Sequence, residues 1–353
     1  MRKFKVGIIG HFGFGHNLAN GQTIKTKIVA EEINEITHGS TCYVDTHGGI
    51  KSIFSTILGC FKLLHRCDNI VILPAQNGVK IIVPILAIAN RIYHKKLHYS
   101  VIGGWLPAML QGHKWLIKYL KNFHYIYVET SVMKTALEQL GINNSIIIPN
   151  CKDLQILTAE ELKPHTNPPY KICTFSRVMK EKGIEDIVNV IKNINSDKGK
   201  TIYELDIYGS VDADQTEWFD NLSSTFPDYI RYCGIVDFDK SVDILKDYFV
   251  LAFPTRFYTE GIPGTIIDAY AAGVPVVSAK WESFGDIIEN DYTGFGYEFG
   301  NIDQLQSIME KIATTPDSIN QKKIHCIAKA QEYTTQRCKE ELSKYILTNY
   351  GTR

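Results

Sequence analysis

Apolar residues in this chain gather in short runs, separated by stretches in which they recur every three to four positions. The runs at 6–10, 41–45, 69–73, 97–102, 125–128 and 145–148 each predict a buried strand. The intervals between them carry helical spacing, as in 22–33 and the amphipathic stretches 51–66 and 114–121. The rhythm resumes with strands at 171–176, 205–208, 232–236, 249–253 and 274–278. Helices are predicted from 184 and over 264–272, 302–313, 319–333 and 336–350. Strand and helix in strict turn predict parallel sheets covered on both faces. The interval 151–169 breaks the pattern and ends in Pro164-His165-Thr166-Asn167-Pro168-Pro169, so it reads as a linker. A chain of 353 residues exceeds one compact core. The expected organisation is two Rossmann-like, doubly wound α/β domains, 1–165 and 166–335, with a last helix over 336–353.

Composition adds exclusions. An apolar fraction of 44% with 22% charged residues belongs to a globular chain, not a disordered one. The eight cysteines form no Cys-x-x-Cys pair and read as core residues in a reducing compartment. The run at 6–10 is too short for an export core. The longest apolar run, 81–89, falls well short of the roughly 20 residues that span a bilayer, and it contains Pro84. A cytoplasmic protein is expected.

Net charge is zero, which argues against a nucleic-acid partner, yet the halves differ. Residues 1–165 hold 18 Lys+Arg against 10 Asp+Glu, hence +8, and the remainder holds 20 against 28, hence −8. The first half is expected to face something anionic. Lys51, Lys62 and Arg66 flank Ile53, Phe54, Ile57, Leu58 and Phe61, and Lys114, Lys118 and Lys121 form a stripe opposite Leu116, Ile117 and Leu120. These are either helices packed on their own sheet or attachments to an anionic leaflet, where each basic residue contributes about 1 kcal/mol. The second reading puts the protein at the inner face of the membrane, in peripheral contact, and suits a lipid-linked acceptor.

The densest chemistry lies in 253–279. A strand ends at Pro254, a loop rich in Gly and Pro follows with Glu260 and Gly261, and Gly264-Thr265 opens a helix that carries Asp268. A helix that starts on such a loop offers unpaired N–H groups and a positive dipole end, which suit diphosphate. Two carboxylates there repel phosphate and suit hydroxyls. A ligand with both is a nucleotide sugar.

Glu260, seven intervening residues, Asp268, then Ala-Tyr-Ala-Ala-Gly-Val-Pro-Val-Val resemble the signature of glycosyltransferase family 4, retaining GT-B enzymes with two Rossmann-like domains and an interdomain cleft. The resemblance implies that Glu260 holds the transferred sugar's hydroxyls and Asp268 the ribose; the family usually has Glu at the second position, one methylene longer. Arg177 and Lys182-Gly183 resemble the family's diphosphate grip, where two fixed cations stabilise charge that builds on the leaving group. A bridge from Lys182 to Glu181 or Glu185 is the plain alternative. Gly209 matches the loop placed near the nucleotide, and 232–236, with Val236, the strand whose backbone receives the base. Gly21 and Gln22 resemble a loop that approaches the donor, with Gln22 where a second glycine is usual. Gly104 and Trp105, at a strand's carboxyl end, fall on the acceptor side, as does His16 beside the first loop; His11 lies by the same loop, and no catalytic His is assigned. In GT-B enzymes the last helix crosses back to the first domain.

Gly13-Phe14-Gly15-His16 lacks the third glycine of a dinucleotide fingerprint, and no acid follows about 20 residues later at a strand end. Asp212-Ala213-Asp214 and Asp237-Phe238-Asp239 spell the pattern of metal-dependent transferases, but with two cations already assigned they read as solvated loop acids. No metal and no cofactor is expected beyond the nucleotide diphosphate sugar itself. The expected activity is transfer of a hexosyl unit to a carbohydrate or lipid-linked acceptor, with retention, in cell-surface polysaccharide or glycolipid synthesis. A GT-B phosphorylase or epimerase, a non-catalytic nucleotide-sugar-binding protein and an NAD oxidoreductase remain open on the sequence.

Overall fold

The structure is a computed structural model that describes residues 4–15, 21–48, 52–237 and 239–347. The chain divides into two units, Met1–Lys152 with Tyr333–Arg353, and Asp153–Glu332.

The first unit runs β1 (Phe4–Gly10), α1 (Gly21–Ile36), β2 (Thr41–Asp45), α2 (Ile53–Arg66), β3 (Cys67–Leu73), α3 (Gln76–Tyr93), β4 (Lys96–Ser100), α4 (Leu106–Gly112), α5 (Ile117–Leu120), β5 (Tyr125–Val128), α6 (Ser131–Gln139) and β6 (Ser145–Ile147). The sheet is parallel, in the order β2-β1-β3-β4-β5-β6. Successive side chains of β3 go to opposite faces, which explains its unbroken apolar run. Ile70 and Ile72 pack with α2 and α3, whereas Val71 and Leu73 pack with Val29 and Ile33 of α1.

The second unit runs β7 (Tyr170–Phe175), α7 (Ile184–Lys198), β8 (Tyr203–Tyr208), α8 (Thr216–Ser223), β9 (Ile230–Gly234), α9 (Ser241–Leu245), β10 (Val250–Phe253), α10 (Gly264–Ala271), β11 (Val276–Lys280), α11 (Phe284–Ile287), β12 (Gly294–Glu298), α12 (Ile302–Thr314), α13 (Asp317–Asn320) and α14 (Lys323–Ala330). Its sheet is also parallel, in the order β12-β11-β10-β7-β8-β9. Helix α15 (Thr335–Ile346) belongs to the first unit. Its Cys338, Leu342 and Ile346 enter the core formed by Val6, Ile8 and Val29, and Lys339 pairs with Glu35 of α1.

Both units are doubly wound and Rossmann-like, as expected. The first break falls after Lys152, ahead of the expected 165, because the presumed linker is packed on the second unit. Leu157 N–H donates to Ala271 O at 2.9 Å, His165 N–H to Asn320 Oδ1 at 2.9 Å, and Lys163 pairs with Asp247 at 2.8 Å. The second break falls after Glu332, where 335 was expected. The helix read over 319–333 is broken into α13, α14 and a 3-10 turn, and β9 ends at Gly234, which leaves Val236 in the following loop.

Candidate active site

Open α/β sheets hold ligands outside the carboxyl ends of strands, where the strand order reverses. In the second unit that point lies between β7 and β10. The loop after β7 carries Lys182 and the loop after β10 carries Glu260. The Lys182 ammonium donates to Glu260 Oε1 in a part-buried ion pair, each side chain 17% exposed. Thr255 Oγ1 donates to the same carboxylate oxygen at 3.2 Å. The Phe257 and Phe253 rings lie 5.1 and 5.6 Å from the ammonium, a cation–π seat.

The two loops are tied together by more than this pair. Gly183 has φ +66, and a Cβ there would stand 1.8 Å from Pro254 O, so the backbones touch where only glycine fits. Arg256 N–H donates to Glu181 O at 2.8 Å, and the Arg256 guanidinium forks onto the nearly buried Asp186. That carboxylate holds Arg256 above its ordinary range. Neither Glu181 nor Glu185 takes Lys182: Glu181 accepts from Gln215 at 2.9 Å and Glu185 from Trp218 at 3.5 Å.

Arg177 lies two residues past the end of β7 and is drawn the other way. Its Nη1 lies 3.4 Å from Asp212 Oδ2, and its side chain is 53% exposed. Asp212 is therefore not the solvated loop acid expected. It pairs with Arg177 and caps the following turn by accepting from Asp214 N–H at 3.1 Å. Gly209 has φ +132, and a Cβ there would meet Ser176 O at 1.8 Å, which presses the β8 exit against the β7 exit. Tyr232 O–H donates to Gly209 O at 2.8 Å.

Helix α10 opens at Gly264 after buried Gly261. Thr265 Oγ1 is buried there without a hydrogen-bond partner among the described residues, and Asp268 is buried one turn on. An orphaned hydroxyl beside a helix N-terminus is a place for an anion. Lys182, Glu260 and this helix start are thus brought to one strand-end region.

In the first unit the strand order reverses between β1 and β3. Asp45, at the end of β2, was not singled out in the sequence. Its carboxylate accepts backbone N–H from Phe12 at 3.0 Å, Phe14 at 3.0 Å and His47 at 2.9 Å. These bonds, against the cost of burial, hold it below the usual carboxylate range. The Phe12 and Phe14 amides after β1 are thus occupied internally. Gly21 and Gln22 form the first turn of α1, and Gln22 and His11 line a cavity between α2 and α3. Gly104 is half-buried, and Trp105 turns inward, its Nε1–H donating to Ile102 O at 2.7 Å. Behind them Lys25 and Glu129 form a buried ion pair; Lys25 also donates to Val101 O at 3.2 Å, and Gly103 N–H to Glu129 at 3.3 Å. His16 lies outside the described residues.

With this geometry in view, residues 169–315, most of the second unit, match the family model described as Glycosyl transferases group 1. No curated protein matches the chain. Among solved structures, Anabaena HepE in complex with UDP and glucose superposes with a TM-score of 0.74 at 14% identity, over 98% of this chain and 100% of that one. Sucrose-phosphate synthase from Thermosynechococcus elongatus gives 0.77 at 13% identity, over 98% and 99%. At such identities the likeness defines the fold, which is GT-B.

Proposed function

We propose that this protein transfers a glycosyl unit from a nucleotide diphosphate sugar to an acceptor hydroxyl, in the manner of family 4, with retention of configuration. The observation that carries the reading is the Lys182–Glu260 pair at the β7/β10 reversal, beside the α10 helix start with its orphaned Thr265 hydroxyl. Lys182 has three donors and Glu260 uses one, so the ammonium can serve a diphosphate oxygen at the same time. Arg177, loosely held by Asp212, completes the cationic grip. Glu260 holds sugar hydroxyls, Asp268 the ribose, Gly264 and Thr265 the phosphates, and Gly209 and Val236 flank the nucleotide.

As the glycosidic bond to phosphate breaks, negative charge grows on the departing diphosphate. Fixed cations then stabilise the transition state more than the ground state. They supply the charge that a divalent ion would bring, so turnover is expected to persist in chelator. The first unit receives the acceptor. Exposed Phe54, Leu58 and Phe61 on α2, beside Lys62 and Arg66, support contact with an anionic leaflet and a role in cell-surface polysaccharide or glycolipid synthesis. Among the described residues no helix is long and apolar enough to cross a membrane.

A thermal-shift panel of nucleoside diphosphates and their sugars tests the reading. A ligand at 100 times its dissociation constant adds about 2.7 kcal/mol, a clear shift. A panel with no shift, or transfer that requires free phosphate, sinks it. The anomeric form of the product, read by NMR, tests retention.

A further inference from the structure

The reversal between β1 and β3 gives the first unit its own ligand-binding crevice. A cavity of about 340 Å³ lies there, within the range of small-molecule sites. Its ends differ in chemistry. At the strand ends it is lined by His11 and Gln22, and further along the helices by Ile53, Ile57, Ile81 and Ile85. The His11 ring that closes the polar end has its Nε2 3.3 Å from His47 Nδ1, and its Nδ1 is buried with no hydrogen-bond partner among the described residues.

The apolar lining continues to the surface. Ile81, Ile85, Ile88 and Ile92 fall at i, i+4, i+7 and i+11 along α3, one helical stripe, and Ile88 and Ile92 are exposed. Phe54, Leu58 and Phe61 make the matching exposed stripe on α2. Lys62 and Arg66 on α2 and Arg91 on α3 supply cations beside these stripes. An apolar rim set among cations complements the hydrocarbon and anionic headgroups of a bilayer.

We infer that the acceptor is a membrane-resident amphiphile. Its hydrocarbon chain runs from the bilayer between α2 and α3, and its polar head reaches His11 and Gln22. Calling the ligand an acceptor rests on the transferase reading; the chain-binding cavity does not.

The test is calorimetric titration of the whole protein with octyl, decyl and dodecyl β-glucosides below their micellar concentrations. Affinity is expected to rise about fourfold per methylene. Ile57→Trp and Ile85→Phe, which fill the cavity, are expected to weaken dodecyl glucoside at least about tenfold, the scale of about two lost methylenes, and to leave nucleoside diphosphate binding unchanged. Circular dichroism checks that each variant folds, and either one suffices. Affinity independent of chain length, or wild-type binding in the filled variants, overturns the inference. Phe54→Ser with Ile92→Ser is expected to lose sedimentation with phosphatidylglycerol vesicles and keep glucoside binding. If that pair abolishes glucoside binding and the filled variants do not, the exposed face is the binding element and the cavity assignment is wrong. Glucoside binding without nucleotide binding would sink the transferase reading and leave this one standing.

Discussion

Lys182 and Glu260 stand 78 positions apart in sequence and meet as an ion pair at the point where the second sheet reverses its strand order. The pair is set by the backbone contact of Gly183 with Pro254 and by the fork of Arg256 on Asp186. In the proposed role both groups would stand in place before substrate arrives, which would leave little reorganisation for the reaction itself.

Glu260→Gln and Lys182→Met are each expected to lower turnover at least about 100-fold, the usual scale for one preorganised electrostatic contact. Because the two touch, the double variant should lose less than the product of the single losses. Steady-state rates on one donor decide this, and near-normal turnover in either single variant removes the assignment.

Arg177→Ala is expected to cost at least about 100-fold for the same reason. Asp212→Asn should act in the opposite sense on binding. Its pair with Arg177 is exposed and long, worth at most about 1 kcal/mol, so releasing the guanidinium should tighten a nucleoside diphosphate by no more than about fivefold. Weaker binding in Asp212→Asn would show that the carboxylate, not the cation, faces the ligand.

Gly183→Ala combines a positive φ with a clash against Pro254 O. A loss on the order of 3 kcal/mol in urea unfolding is expected, with turnover falling as Lys182 is displaced. Wild-type stability would mean that the two loops are not held as described.

Glu129→Ala leaves the Lys25 ammonium buried without its carboxylate and should cost about 3–5 kcal/mol. Lys25→Met with Glu129→Leu removes both charges and should recover most of that loss. A double variant as unstable as the single one would contradict the account.

Burial holds the His98 imidazole down to about 3, where Tyr127 O–H and Asn69 Oδ1 satisfy its neutral ring at 2.8 and 3.2 Å. Between that value and the ordinary 6.5 the unfolded chain binds a proton that the folded chain refuses. Stability is then constant above the upper value and falls as pH drops through the window, by up to about 1.4 kcal/mol per pH unit. Urea midpoints at about pH 7.5 and about pH 5 should differ accordingly, and His98→Gln should flatten the difference.

The alternation of strands and helices was readable because each buried parallel strand needs a continuous apolar run and each helix its own period. The Glu260 stretch was readable because a Gly-rich loop and the helix it opens are local in sequence. Strand β12 escaped notice because two of its five residues are glycine, which dilutes the apolar signal. The cavity between α2 and α3 draws on β1, α1, β2, α2, β3 and α3 at once, so no single stretch announces it. For Lys182 the sequence offered a bridge to Glu181 or Glu185 only as the plain alternative to a diphosphate grip; the pairing with Glu260 was not legible because it depends on β7 and β10 lying side by side.

Asp45 has a consequence for stoichiometry. By engaging the Phe12 and Phe14 amides with a side chain of its own, the protein plugs a socket that the strand-order reversal of the first unit would otherwise offer a pyrophosphate. Titration with a nucleoside diphosphate should therefore saturate at one equivalent per chain, and the crevice beside the plugged socket stays open to a ligand of another kind.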